Sequence, residues 1–321
     1  MELDECLAFC QRLPRSGERS VGLGSSGMAC FPNQSQWICF PEDRKHVVSI
    51  AVGQKLGPYY LHERLNQGGM ATIWHATDGD GTPYAIKIML DEQKGSFTAR
   101  RRFNKGCGIL QTIGEHPYII SYVEHGKLDG YPFLAMEYVE ASNLKELADA
   151  GDDTFEQYIG NILVDMAEAL EHMHDCGYMH LDFKPANVLM TRNGNVRLVD
   201  FDLTREIPKK PKKSSGNPGT PAFMAPEQLE QKPFDHRVDI FAFGVTAYEL
   251  LTGKKPFPGE KASEVFRNQM DRKMFLSPKG VNDGVPRALN DLIVQCLENV
   301  PDSRFPNMNV LVAQLKSALY K

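Results

Sequence analysis

Two stretches of this 321-residue chain hold residue types that could do chemistry together. His180-Leu181-Asp182-Phe183-Lys184-Pro185-Ala186-Asn187 sets a carboxylate, an ammonium and an amide within six residues, and Asp200-Phe201-Asp202 begins 13 residues after Asn187. Phosphoryl transfer needs such an inventory: a carboxylate to orient a hydroxyl and accept its proton, and oxygen ligands for Mg²⁺. Mg²⁺ prefers hard oxygen donors and keeps several waters, so few protein ligands suffice. Upstream, Tyr84-Ala85-Ile86-Lys87 places a lysine inside an apolar strand. Burying it is costly unless an anion receives the ammonium; standing alone it would read as an edge-strand lysine reaching for water. A turn with Gly68 and Gly69 lies between Leu65 and Ile73. Glycine lets backbone N–H groups approach an anion with no Cβ in the way, although a plain hairpin turn uses it too.

The elements around these residues divide by type. Leu61–Leu65, Thr72–Thr77, Tyr84–Leu90, Ile119–Val123 and Phe133–Tyr138 read as short strands, with a strong turn at Asp78-Gly79-Asp80-Gly81. Ile159, Ile162, Leu163, Met166, Leu170 and Met173 form one apolar stripe at helical spacing. Val188–Met190 and Val196–Val199 flank Asn193-Gly194 as a hairpin. After Pro226 the periodic segments are helical: Val238–Leu251, Ser263–Met270, Pro286–Leu297 and Met308–Leu319. Strands first and helices later predict an α+β protein with a small sheet lobe and a larger helical lobe. Residues 1–52 stand apart as an extension, rich in Gly and Ser over Ser16–Gly27, with short strands conceivable at Trp37–Phe40 and Val47–Val52.

Taken in order and spacing, these motifs resemble the protein kinase family from roughly Gly57 to Lys321. The resemblance implies a two-lobed fold over residues 53–321, with a five-stranded small lobe to about residue 138 and a helical large lobe from about 139. It makes Asp182 the catalytic base, Lys184 and Lys87 the partners of the phosphates, and Asn187 and Asp200 the metal ligands. The glycine turn would bring Leu65, Gly68, Gly69 and Ile73 over the nucleotide. Ala85 and Leu189 would join Ile73 around the adenine, behind which Met136 stands as gatekeeper. Backbone groups of Glu137 and Val139 would bind the ring. The implied cofactors are ATP and Mg²⁺, with Mn²⁺ as its substitute, and the implied reaction is transfer of the γ-phosphoryl group to a protein hydroxyl. Lys184 followed by Pro185 is similar to the Ser/Thr class. Gly69-Met70 and Ala225-Pro226-Glu227-Gln228 are similar to bacterial members. Gly219–Glu227 resembles the substrate-docking segment that ends in A-P-E, and Arg304 sits where kinases pair an arginine with that glutamate.

Several positions depart from the family pattern. Asn66 and Ala71 replace the outer glycines of G-x-G-x-x-G. Aligning Phe103–Leu110 with the small-lobe helix puts Gly106 where a glutamate usually pairs with the strand lysine. Gly106 and Gly108 together would cost that helix roughly 2 kcal/mol. Glu92, Glu115 and Asp202 are the substitutes available, and the sequence does not choose among them. Asp202 itself replaces the glycine of D-F-G, which restricts the backbone there. Leu181 replaces the arginine of H-R-D, so no cation awaits a phosphorylated activation loop, and activity is expected without phosphate on Thr204, Ser214 or Ser215. These departures keep a second class of function open, a pseudokinase serving as a nucleotide-binding or scaffolding module.

Composition bounds the partners. With 42% hydrophobic and 24% charged residues the chain is ordinary globular protein. A net charge of −5 argues against a chain-wide nucleic-acid surface. Lys209, Lys210, Lys212 and Lys213 are a local exception, either a solvated loop or a dock for an acidic partner. The longest apolar run, near Ile240–Leu251, is too short to cross a bilayer, and the acidic start is unlike a secretory leader. Seven scattered cysteines are expected as reduced thiols in the cytoplasm. His172, His174, Cys176 and His180 bring zinc to mind, yet the first two point about 200° apart on a helix and cannot share an ion.

Overall fold

The computed structural model describes residues 50–213 and 219–320. Ser214, Ser215 and the stretch anticipated as strand at 37–40 lie outside the described residues; of 47–52, only 50–52 are described, and they are irregular.

Strand alternation builds the small lobe. β1 (Lys55–Leu56), β2 (Tyr59–Gln67), β3 (Ala71–Thr77) and β4 (Pro83–Met89) run antiparallel, followed by α1 (Asp91–Lys94) and α2 (Phe97–Ile113). β5 (Tyr122–Leu128) and β6 (Tyr131–Glu137) complete a sheet in the order β1-β2-β3-β4-β6-β5. The sheet thus has six strands rather than the expected five, because Lys55–Leu56 pairs with Tyr59–Tyr60 across a tight turn. The strand expected at Ile119–Val123 begins only at Tyr122; Ile119 instead forms an isolated bridge with Leu198 of the large lobe. Side chains alternate across a strand. Trp74, Ile86, Ile88, Phe133 and Ala135 pack one face with Tyr59 and Leu61. Ile73, Ala85, Leu134 and Met136 belong to the other face, toward the main core. Register confirms the sharing of that face, since Lys87 lies opposite both Ile73 and Leu134, and Ala85 opposite Met136.

In the large lobe β7 (Ala141–Asn143) leads to α3 (Leu144–Ala150) and the long α4 (Asp153–Asp175). Asp152 caps α4 by accepting the Phe155 N–H at 2.9 Å. The predicted stripe is its buried face: Ile162, Leu163, Met166, Leu170 and Met173 are inaccessible and Ile159 is partly so. β8 (Tyr178–Met179), the β9 (Val188–Thr191)/β10 (Val196–Leu198) hairpin and β11 (Arg205–Glu206) follow. Then come α5 (Pro226–Leu229), α6 (Arg237–Thr252), α7 (Ala262–Asp271), α8 (Pro278–Val281), α9 (Arg287–Cys296) and α10 (Met308–Leu319). α6 is buried at every position from Val238 to Leu250, so it is the post around which the lobe packs. Among the described residues no helix is long and apolar enough to cross a membrane.

Candidate active site

The loop between β8 and β9 carries Asp182, and its shape is set from below. Asp239, in the first turn of α6, is fully buried and accepts the N–H groups of His180 at 2.8 Å and Leu181 at 2.9 Å. His174 Nε2–H donates to the same carboxylate at 2.9 Å. Burial alone would push Asp239 up; the His174 bond and charge, with His180 and the Leu181 N–H, hold it below the usual carboxylate range instead. Two paired amides so close force Leu181 to φ 67°, a left-handed conformation that non-glycine residues adopt only when the surroundings impose it. His180 is buried against the ring of Phe201, with centroids 5.7 Å apart.

Asp182 is held through both carboxylate oxygens. Lys184 Nζ donates to Oδ2 at 2.7 Å and Asn187 Nδ2 at 3.1 Å. Thr220 donates its N–H to Oδ1 at 3.3 Å and its hydroxyl at 3.2 Å. Lys184 Nζ also reaches the Thr220 hydroxyl oxygen at 2.9 Å, which closes a ring between the loop and the docking segment. The role of Thr220 was not anticipated from sequence. Its only signal is Gly219 before it, at φ 140°, where a Cβ would fall 2.9 Å from Met224 Cε.

The second motif joins the first directly. Val199 N–H donates to the Asn187 carbonyl at 2.9 Å, and Asp200 follows at φ 67°. Lys87 Nζ, on β4, reaches Asp200 Oδ1 at 3.0 Å. Burial would depress Lys87, but Asp200 and Asp202 outweigh it and the ammonium persists. Burial likewise opposes ionisation of Asp200, and the Lys87 ammonium reverses that and holds the carboxyl below its usual range. The usual glutamate partner of Lys87 is absent: Gly106 is buried within α2, and the carboxylate that pairs with Lys87 besides Asp200 is Asp202, at 2.7 Å. Neither Glu92 nor Glu115 is a partner of Lys87. Burial pushes Asp202 up and the nearby Asp200 charge adds to it, while Lys87 pulls the other way.

The donor set fits Mg²⁺. Asn187 commits its amide nitrogen to Asp182, at 2.8 Å to the carbonyl and 3.1 Å to Oδ2, so its side-chain oxygen is the donor left for a cation. Among the described residues no three His, Cys, Asp or Glu side chains gather as a metal cage. The histidines around Cys176 serve packing. His172 donates to the Ile113 carbonyl at 3.0 Å and stacks on His116, and His174 is committed to Asp239.

Of the residues expected around adenine, Ala85 and Met136 are buried side by side on neighbouring strands, and Ile73 lies across from Lys87. Leu189 sits on β9, and Val139 is half-buried just after β6. Glu137 also fixes this connection, its side chain accepting Arg197 Nε at 3.0 Å and the Ser121 N–H at 2.9 Å. Leu65 is exposed on β2. Gly68 and Gly69 form the turn after it, with Gly68 N–H bonded to the Ala71 carbonyl at 2.9 Å. At the docking segment Arg304 grips Glu227 with two bonds of 2.7 and 2.8 Å, both side chains buried. Thr204 is 2% exposed, so it is not a ready phosphate acceptor in this conformation. Lys209, Lys210, Lys212 and Lys213 are exposed.

Comparison with known proteins points the same way. A family profile described as protein kinase domain matches residues 59–315. A probable serine/threonine-protein kinase of Clostridium perfringens is 30% identical over 269 residues, which is 83% of this chain and 39% of that protein. Serine/threonine-protein kinase PknL of Mycobacterium tuberculosis is 29% identical over 261 residues, 81% of this chain and 65% of that protein. The probable serine/threonine-protein kinase PknB of Corynebacterium glutamicum is 29% identical over 270 residues, 80% of this chain and 41% of that protein. The chain therefore spans less than two thirds of the length of these relatives.

Proposed function

Because the chain belongs to the protein kinase family, we propose that it transfers the γ-phosphoryl group of ATP to serine or threonine hydroxyls of protein substrates. One observation carries this reading: Asp182, fixed through both oxygens, sits on a loop bonded directly to the segment where Asp200 meets Lys87. Asp182 accepts the proton of the substrate hydroxyl as its oxygen bonds to the γ-phosphorus and the bond to the bridging oxygen of ADP breaks. Lys184 shifts from Asp182 to the charge that builds on the transferring group. Lys87 orients the remaining phosphates. Asn187 and Asp200 would hold Mg²⁺, which when bound would neutralise the triphosphate charge. Ile73, Ala85 and Leu189 enclose the adenine, and the backbone of Glu137 and Val139 reads its edge. The lysines at 209–213 favour acidic sequence in the substrate, which would make the KM for such peptides rise with salt.

The test is transfer of radiolabelled γ-phosphate to a generic protein substrate by the wild type and by Asp182→Asn. Loss of the base is expected to lower the rate by about 10²–10⁴ with ATP still bound. A second reading, a nucleotide-binding scaffold without transfer, draws on Gly106 in the glutamate position. Equal background labelling by both proteins, with ATP bound to each, would establish it instead.

A further inference from the structure

We propose that Asp202 is the positioning residue for Lys87, and that Gly106 is the reciprocal vacancy that lets it be so. The carboxylate that kinases usually carry on the small-lobe helix has moved to the loop after Asp200, where kinases usually have glycine. This rests on the kinase reading above.

Distances favour the exchange. Lys87 Nζ lies 2.7 Å from Asp202 Oδ1 and 3.0 Å from Asp200 Oδ1. The side chains of Lys87 and Asp202 are 11% and 16% exposed, whereas that of Asp200 is 40% exposed. The pair that is drier and shorter is the one with Asp202, and a charge pair gains strength as water is excluded.

Packing explains why the helix carries glycine. A Cβ on Gly106 would stand 3.0 Å from the Phe201 carbonyl oxygen, 3.3 Å from its carbon and 3.4 Å from Asp202 Cα. α2 therefore leans its backbone against the segment that presents Asp202, and Arg102 Nε ties the two by donating to the Asp202 carbonyl at 3.2 Å. A side chain at 106 would press on the backbone that presents the carboxylate now serving Lys87 and shift it by a few tenths of an ångström. Asp202 also needs no glycine-like backbone, since Asp200 and not Asp202 takes the left-handed conformation. The two departures from the family pattern are one compensated change.

The consequence concerns the metal. With Asp202 in place, Lys87 keeps a carboxylate of its own when Asp200 turns to a cation. Without it, the buried ammonium has Asp200 alone and competes with the cation for that carboxylate.

The experiment uses the full chain and the variants Asp202→Asn, Asp202→Gly, Gly106→Glu and the swap G106E/D202G. Asp202→Asn should melt within a few degrees of the wild type, lose kcat by about tenfold through misplacement of Lys87, and change the KM for ATP by less than about threefold. The Mg²⁺-dependent part of the melting-temperature rise caused by ADP should fall by about half or more. Gly106→Glu alone should melt lower. The swap should exceed both of its single variants in kcat by about threefold. Asp202→Asn matching the wild type in both kcat and the Mg²⁺-dependent rise would overturn the proposal, as would a folded swap variant no better than Asp202→Gly. If the swap fails to fold, Asp202→Asn decides. If the wild type transfers no phosphate, the ADP measurement still reads Lys87 and Asp202, so the kinase reading fails without taking this inference with it.

Discussion

Asp239, fully buried, and Asp202, partly buried, are carboxylates that each hold another residue in place, one beneath the loop of Asp182 and one in the small-lobe corner. Asp239 stands in the first turn of the buried helix α6, and two backbone N–H groups and a histidine satisfy it. Asp202 stands where the pattern puts glycine, and it faces a lysine that a second carboxylate also claims. The large-lobe frame is fixed by several partners at once, so a change to any one of them disturbs the loop that the others hold. In the corner one charge partner sufficed, and it could be moved once the opposing helix gave up its side chain. What the comparison teaches is that the loop geometry has one solution in this fold, whereas the lysine needs only a carboxylate close by and dry.

The contrast can be broken or sharpened by experiment. The largest effect belongs to the frame. Arg304→Ala leaves Glu227 buried without its cation and should cost about 3–5 kcal/mol in urea unfolding; a loss under about 1 kcal/mol would mean that this pair does not tie the frame. Next is Thr220→Val, which keeps shape but removes a hydroxyl shared by Asp182 and Lys184. Hydrogen bonds to charged groups contribute about 1.5–3 kcal/mol, so kcat/KM for a protein substrate should drop by roughly 10- to 100-fold while ATP binding holds.

A smaller effect tests whether every large-lobe carboxylate is as well served as Asp239. Asp165 on α4 is pushed up to about 6 by burial, against the pull of Tyr118. Its folded value lies above the ordinary one, so the ionised form costs stability above pH 6, and the cost disappears as pH falls from 6 toward 4. Asp165→Asn should therefore raise the melting temperature at pH 8 and not at pH 4. The gain should stay below about 1 kcal/mol, because the group is half-exposed and water screens it. An equal gain at both pH values would show that the charge is not its source. Smallest is Gly69→Ala. Its backbone is not left-handed and a Cβ there meets nothing within 4 Å, so the KM for ATP should change by less than about twofold. A tenfold rise would show that the turn must close more tightly on the phosphates than it does here.

Much of this molecule was legible in the chain. The short apolar runs at 72–77, 84–90 and 133–138 marked β3, β4 and β6 as strands, and the stripe from Ile159 to Met173 assigned the inward face of α4, because helical periodicity reports burial directly. Arg304 and Glu227 were matched across 77 residues by motif alone. The sixth strand was missed because two residues carry no period, and the start of β5 was missed because Ile119 is as apolar as a strand residue while bridging to the other lobe. The bonds of Thr220 to Asp182 and Lys184 were not legible, because a threonine between a glycine and a proline is ordinary until the loop it meets is known.

Residue order determined the lobes and the loop and acidic motifs that the proposed function uses, since these depend on local spacing and on which faces must leave water. It could offer Glu92, Glu115 and Asp202 to Lys87 but not select among them, for selection turns on distances between segments far apart in the chain. Folding decided it: α2 packs its glycine against the backbone of Phe201, and the segment it leans on brings Asp202 within 2.7 Å of the buried ammonium.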